Sequence, residues 1–552
     1  MVRPMTEQLK LLFHGVRPAE AGKLGDIIRR TLVERCALPG KDNVAARPVL
    51  DLAIEPGAGS ERFRIADGPA GAVRIAGSDE RGLLYGVGRF LHASRYEEGR
   101  FIPGSWRGVS CPEKAFRGIY LATHFHNFFH DAPIREVETY VEDLALWGFN
   151  HLLVWFDRHH YQGINDPAAL EMIARLSAIL KAGKRVGMSA GLMILANEGY
   201  ASSPLELRAD GATGRAHYGV ELCPSKPEAV DLMLREFREE FEAFADVRPE
   251  ILEIFPYDTG GCACAKCKPW GANGYLRIGE QVANLFKKRF PGGRVVLSTW
   301  LFDYPYKTTE EWEGLSRAFA QRPGWVDYIA ADSHDRFPQY PLTHGVPGGL
   351  PLINFPEISM WEMSPWGGFG ANPLPGRLQS LWNEVKDAAV GGTPYMEGVY
   401  ADINLALYGR FYWSKDQSAA DALKEYAAFE YSPDVAADVV KAIAILEQNH
   451  GCAWLQDSRT ASFQAGPENR KRTEEAFSLL SGADGRLPPR IRQRWRWRIL
   501  YLRALLDNEL SRNNGRPSAP CEEAFDELTR IYHAENSEPT VRPPSLKNTN
   551  AH

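Results

Sequence analysis

The chain has no long hydrophobic run. Nowhere do apolar residues continue for the roughly 20 positions that a helix needs to cross a bilayer, so a membrane partner is not expected. The opening residues, Met1 to His14, lack the unbroken apolar stretch and small-residue cleavage site of a secretory signal, and the expectation is a cytoplasmic protein. Positive charge is not in surplus either. With 64 Lys and Arg against 70 Asp and Glu, the net charge of -6 gives no general attraction for nucleic acid, which is not expected as a partner. The Arg- and Trp-rich run Pro489–Arg498 goes against that trend and is read as one face of a C-terminal helix. Cysteine is scarce, eight in 552 residues, and cytosolic cysteines are expected as thiols or metal ligands rather than structural disulfides. A glycine-rich phosphate loop after the first strand of the main repeat is also missing, which excludes the dinucleotide-binding doubly wound sheet.

What is present is ordinary globular composition, 44% apolar and 24% charged, in a chain long enough for two or three domains. Residues 1–112 alternate short strand-like runs with helices and make a small α/β domain. It closes on a polar cap leading into a helix, Gly77-Ser-Asp-Glu-Arg-Gly-Leu-Leu-Tyr-Gly-Val-Gly-Arg-Phe-Leu91. From 113 to 413 a strand, loop and helix recur eight times. The strands are expected at Arg117–Ala122, His151–Phe156, Met188–Ile194, Ile251–Phe255, Val295–Trp300, Tyr328–Ala331, Leu352–Phe355 and Pro394–Val399. Eight such units over about 290 residues predict a (β/α)8 TIM barrel. Residues 414–535 read as a helical domain, and 536–552 as a loose tail.

In such a barrel the loops after the strands build the functional site. Those loops carry His124, His126 and Asn127; Asp157, His159 and His160; Asn197 and Glu198; Tyr257 and Asp258; Trp300 and Tyr304; Asp332 and His334; Glu357 and Trp361; and Glu397 and Tyr400. Trp155, at the end of the second strand, is either barrel packing or part of the same rim. Carboxylates, imidazoles and indoles suit a sugar, because aromatic faces stack on pyranose C–H surfaces while acids and histidines bind hydroxyls and move protons. Arg158 and Arg336 are the candidates for a ring carboxylate. Glu253, inside a strand, is expected to pair within the barrel. The leading catalytic candidate is Asp258, in the loop that follows Ile251-Leu-Glu-Ile-Phe. Each single acid is equally well explained as a helix cap or a salt-bridge partner.

Three phrases carry a family resemblance: Arg81-Gly-Leu-Leu-Tyr-Gly-Val87, Phe116-Arg-Gly-Ile-Tyr-Leu121, and the helix Val137–Trp147 leading into Gly148-Phe-Asn-His-Leu-Leu-Val154. Through them, residues 72–410 resemble the broad group of glycoside hydrolases that includes bacterial α-glucuronidases and β-N-acetylhexosaminidases. The resemblance implies a non-catalytic N-terminal domain beside a catalytic barrel, and action on a terminal sugar. The hexosaminidase branch uses an adjacent Asp-Glu after strand four, whereas Asp258 is followed by Thr259, which argues against substrate-assisted hydrolysis. The α-glucuronidase branch has one acid after strand four and two carboxylates after strands six and seven that act as the base; Asp258, Asp332 and Glu357 occupy matching places. That family's acid is a Glu in an Asn-Glu pair, and here the pair is Tyr257-Asp258.

Cys262, Cys264 and Cys267 follow Asp258 directly in C-x-C-x-x-C spacing, and Cys223, one unit earlier, completes a set of four. The alternatives are a structural zinc site, plain thiols, or a disulfide pair in an exported protein. No cofactor is expected for catalysis.

The function these observations imply is a glycosidase that cleaves a terminal sugar by carboxylate acid/base catalysis with inversion. Asp258 would be the acid and Asp332 or Glu357 the base, with carboxyl groups about 6.5 to 9.5 Å apart; a separation nearer about 5.5 Å would instead indicate a retaining enzyme with a carboxylate nucleophile. Two rivals stand beside it: a carbohydrate-binding barrel without catalysis, and a metal-dependent hydrolase using His124, His126 and Glu198. The partner is a small carbohydrate; homo-oligomer formation is left open.

Overall fold

The computed structural model describes residues 9–36, 48–57, 59–124, 126–211, 219–257, 260–303, 308–333, 336–358, 373–448, 467–514, 516 and 518–535. Its centre is a closed barrel of eight parallel strands: β1 Phe116–Leu121, β2 His151–Trp155, β3 Ser189–Leu195, β4 Ile251–Phe255, β5 Arg294–Ser298, β6 Tyr328–Ser333, β7 Leu352–Pro356 and β8 Ala389–Gly392. Each pairs with the next, and β8 closes on β1 through Gly391 and Gly392 opposite Phe116 and Arg117. Helices follow the strands and cover the outside, so β1 to β4 and β7 are buried along their whole length. Strands buried on both faces are why the barrel reads as apolar runs rather than as alternation.

The eighth strand departs from expectation. The sequence places it at Pro394–Val399, but the main ladder lies at Ala389–Gly392, and only Tyr395–Met396 continues along β1. Close approach decides this. A Cβ on Gly391 would sit 1.7 Å from the Phe116 carbonyl oxygen, and its φ of +135° lies where side chains are disfavoured. The closing strand Ala389-Val-Gly-Gly392 has one β-branched residue and two glycines, too little to announce it, while Pro394 has no N–H to give a ladder.

Inward-facing residues fill the barrel: Phe116, Leu153, Met193, Ile251, Val296, Ala330 and Ile353. Glu253 belongs to this set, since register puts it beside Met193 and Val296. Against the expectation of pairing, both of its carboxyl oxygens are buried without a hydrogen-bond partner. Burial alone raises its pKa to about 8.

The N-terminal part is a five-stranded sheet of Lys10–His14, Val49–Ile54, Val73–Gly77, Phe63–Asp67 and Gly108–Ser110, in that order. Helix Glu80–His92 fastens it to the barrel. Asp79 caps this helix, accepting from the N–H of Gly82 at 2.7 Å and of Glu61 at 2.8 Å, a contribution of about 1 kcal/mol. Arg81 donates to the Gly187 carbonyl, Tyr85 to the Phe149 carbonyl, and buried Arg117 of β1 to Glu61 at 2.8 Å. All three contacts lie at the strands' N-terminal ends, opposite the face where barrel sites form. The phrase Arg81–Val87 is therefore a docking surface.

After β8, helix Asp402–Trp413 leads into five long helices: Ala419–Glu430, Ala436–Gln448, Pro467–Arg486, Trp495–Arg512 and Ala519–Ile531. The Arg/Trp run packs inward here. Arg496 is buried against Asp402 (2.8 Å) and Asp143 (3.1 Å), and the Trp497 indole donates to Asp484. Among the described residues, no helix is long and apolar enough to cross a membrane.

Candidate active site

Strand periodicity builds the site. Successive inward positions near the C-terminal ends carry Tyr120, Trp155, Phe255, Phe355 and Tyr395, which form one buried cluster with Trp300 packed against it. Ring centroids stand 5.3 Å apart for Phe255–Phe355, 5.5 Å for Trp300–Phe355 and 5.7 Å for Tyr120–Tyr395. This aromatic layer closes the barrel below its mouth. Two residues further along the same strands, the period of 2 brings the next inward positions: Asp157 after Trp155, Glu357 after Phe355, Glu397 after Tyr395 and Asp332 after Ala330. All four acids are buried. Asp332 lies on β6 and Glu357 just past the end of the neighbouring β7, across the barrel from the ends of β2 and β3. Glu397 accepts from the Tyr395 hydroxyl at 2.9 Å.

The opposite wall holds a charge cluster. Nδ1 of His159 lies 2.5 Å from Asp157 and 3.0 Å from Glu198, His160 lies 3.2 Å from Asp157, and the Trp155 indole donates to Glu198 at 3.3 Å. Burial and the adjacent Asp157 charge raise Glu198 well above the carboxylate range, so it keeps its proton and shares it with Asp157. Against burial, the His159 contact holds Asp157 ionised. Against its own burial, His159 is raised to about 10 by hydrogen bonds with Asp157 and Glu198 and stays an imidazolium. The result is one proton between two carboxyls with a cation alongside. His124 is different: burial lowers it to about 4, its Nδ1 meets the Tyr120 hydroxyl at 2.5 Å, and its ring stacks on Trp155 at 4.9 Å. It is a neutral part of the aromatic wall.

Other sequence candidates hold the scaffold. Asn127 caps the short helix Phe128–Asp131, accepting from Phe129 N–H at 3.0 Å, and its amide donates to the Ala122 carbonyl. Asn197 donates to the Leu222 and Gly261 carbonyls and accepts from Gly261 N–H at 3.1 Å, which joins the loops after β3 and β4. Tyr257 turns outward into the helix layer and donates to Glu311 at 2.5 Å. Tyr400 donates to the Leu528 carbonyl and stacks on Tyr532 under the C-terminal helix. The Arg158 guanidinium is buried against Glu240 (2.5 and 2.8 Å) and Phe237 (3.7 Å to the ring centroid), outside the barrel, so it is not presented to a substrate carboxylate. His126 is half-exposed, paired with Asp131 at 2.7 Å and stacked on His130. Asp258, Tyr304, His334 and Trp361 lie outside the described residues.

The proposed metal trio does not assemble. Among the described residues, metal-ligating atoms converge in two places: Asp157, His159 and His160, and the four cysteines Cys223, Cys262, Cys264 and Cys267. His124, His126 and Glu198 do not meet as one ligand set. In the cysteine group, the Cys223 sulfur lies 3.5, 3.8 and 3.9 Å from those of Cys262, Cys264 and Cys267, too far for a disulfide.

Sequence reading missed Glu221, which bridges by its backbone to Glu198 and is raised by burial to about 8. It sits after a long excursion from β3, where strand periodicity has no reach. The aromatic layer was also missed. Its signal is an aromatic residue followed two positions later by an acid at a strand's end, present in Trp155-Phe-Asp157, Phe355-Pro-Glu357 and Tyr395-Met-Glu397.

No protein-family model matches the sequence. No curated protein matches it either. Solved structures do. A family 115 4-O-methyl-α-glucuronidase with specificity for decorated arabinogalactans superposes with a TM-score of 0.64 at 12% identity, over 97% of this chain and 77% of that one. A family 89 glycoside hydrolase from Clostridium perfringens gives 0.61 at 12% identity, over 93% and 65%. A family 20 β-N-acetylhexosaminidase from Streptomyces coelicolor gives 0.51 at 16% identity, over 76% and 91%. At such identities the likeness is one of fold, and the structure is a closed eight-stranded parallel barrel with flanking parts whose structural neighbours are glycoside hydrolases.

Proposed function

We propose that the chain is a glycoside hydrolase that removes a terminal sugar by carboxylate acid/base catalysis. The observation that carries this reading is the ring of buried acids standing one strand repeat above an aromatic layer at the barrel's C-terminal mouth. A pyranose can lay its C–H face on aromatic rings while acids reach its hydroxyls and its glycosidic oxygen. The structural neighbours, named as glucuronidase and hexosaminidase, support the same class.

In this proposal Asp332 and Glu357 work together on one wall, where one activates water and the other orients it. The acid role is assigned to Asp258 from its place in the sequence just past β4, and Glu198 contacts a sugar hydroxyl. Attack of water opposite the departing oxygen inverts the anomeric centre, which requires the two carboxyl groups to stand about 6.5 to 9.5 Å apart. An exo mode rests on the family resemblance.

A panel of aryl glycosides, uronides included, identifies the substrate, and NMR of the first product anomer reads the stereochemistry. Asp258→Asn is expected to lower kcat by about 10²–10⁴ on substrates with poor leaving groups and far less on nitrophenyl glycosides, which need no protonation to depart. Should Glu198→Gln show that leaving-group signature instead, the acid moves to Glu198. Unchanged turnover in Asp258→Asn, Asp332→Asn, Glu357→Gln and Glu198→Gln alike overturns the catalytic reading.

A further inference from the structure

We propose that Cys223, Cys262, Cys264 and Cys267 bind one zinc ion in a closed tetrahedral site, and that this ion clamps the loop after β3 to the loop after β4. Geometry supplies the first argument. Four sulfurs held about 2.3 Å from a common centre stand about 3.8 Å from one another. The Cys223 sulfur lies 3.5, 3.8 and 3.9 Å from the other three, and all four sulfurs fall within 4.8 Å of one another. Such spacing is too long for a bonded pair and too short to be usual for four unrelated side chains converging from two loops.

The surroundings supply the second argument. Cys223, Cys262 and Cys267 are buried, and Cys264 is half-buried. Backbone N–H groups of Ser225, Cys264 and Lys266 are directed at the sulfurs of Cys223, Cys262 and Cys264, as the outer shell of a thiolate site requires. On binding, each thiol gives up its proton and the complex carries two net negative charges, which those dipoles face. No coordination position is left for water, so the ion has no Lewis-acid role.

What the ion would control follows from the hydrogen bonds. Asn197 bonds to Leu222, beside Cys223, and to Gly261, beside Cys262, and its chain neighbour is Glu198. Leu222 N–H also donates to the Asn197 carbonyl at 2.7 Å, and Ala263 N–H to the Asp210 carbonyl at 2.8 Å. One backbone segment therefore carries Asn197 and Glu198, and it is fastened on the far side by the cysteine cluster. Asn197 is a positioning residue in this scheme. This part rests on the function proposed above; the metal itself does not.

The test uses the full chain purified without chelator. Elemental analysis is expected to give about one zinc per chain, and zinc K-edge absorption four sulfur neighbours at about 2.3 Å. Removing the metal should raise hydrogen exchange in residues 197–211, 219–226 and 260–268 above that of β5–β7. Folded protein with less than about 0.1 equivalents of metal and four freely titrating thiols overturns the site, as does an absorption edge showing oxygen or nitrogen ligands. The wild-type measurement decides the matter even if Cys→Ser variants do not fold. If the zinc is found and no glycoside is turned over, the metal site stands and only the functional reading fails.

Discussion

Glu253 offers the sharpest test of the barrel interior. It lies on β4 with its side chain among Met193, Val296 and other apolar residues, and neither carboxyl oxygen has a partner. Its pKa rises from 4.5 to about 8 on folding, through burial alone. Because the folded value is the higher one, the folded state holds the proton more tightly. Its stability contribution is complete below pH 4.5 and lost as the pH rises through 8. At about 1.4 kcal/mol per pH unit, keeping this carboxyl buried at pH 7 costs about 3 kcal/mol relative to pH 4.5. Glu253→Met and Glu253→Gln remove the titration while keeping the volume similar. The stability gap, variant minus wild type, should widen by about 1.4 kcal/mol per pH unit from pH 5 and level off near 8. Urea midpoints of the barrel transition at pH 5, 6, 7 and 8 measure it, and infrared spectra at pH 7 should show a protonated carboxyl stretch that Glu253→Gln lacks. A gap independent of pH, with no such band, would refute the reasoning and place water or a counter-charge beside Glu253.

His159 gives a second pH test: raised from 6.5 to about 10 by Asp157 and Glu198, its contribution is complete below pH 6.5 and fades as the pH rises through 10. The stability advantage of wild type over His159→Gln should shrink over that interval in thermal melts, and a constant advantage would show that the charge is not what His159 contributes. Arg158→Lys should destabilise by about 2–4 kcal/mol in urea denaturation, since an ammonium cannot keep both the contact with Glu240 and the face of Phe237. Full stability in that variant would mean that the buried pair contributes nothing. Asn127→Ala should cost about 1 kcal/mol through loss of the cap on Phe128–Asp131 while leaving KM within about twofold, whereas a large KM rise would return Asn127 to the substrate.

The barrel was legible in the sequence because parallel strands buried on both faces must be written as apolar runs, and helices long enough to cover them must separate those runs. Seven of its strands stand where such runs occur; the eighth, Ala389–Gly392, does not, because its residues answer to the Phe116 backbone across the closure and not to their own propensity. The acids of the mouth were legible one at a time, as residues at strand ends. Only the tertiary structure decided which of them face one another. Asp157 and Glu198 share a proton beside the His159 imidazolium because two strand ends and a loop bury them together, and no spacing along the chain encodes that. It also decided against several candidates: Tyr257 and Tyr400 point out of the barrel, Asn127 and Asn197 are occupied by backbone groups, and Arg158 lies beneath the helix layer. A side chain's direction depends on which neighbour arrives to satisfy it, and those neighbours, Glu311, Leu528, Gly261 and Glu240, come from elsewhere in the chain.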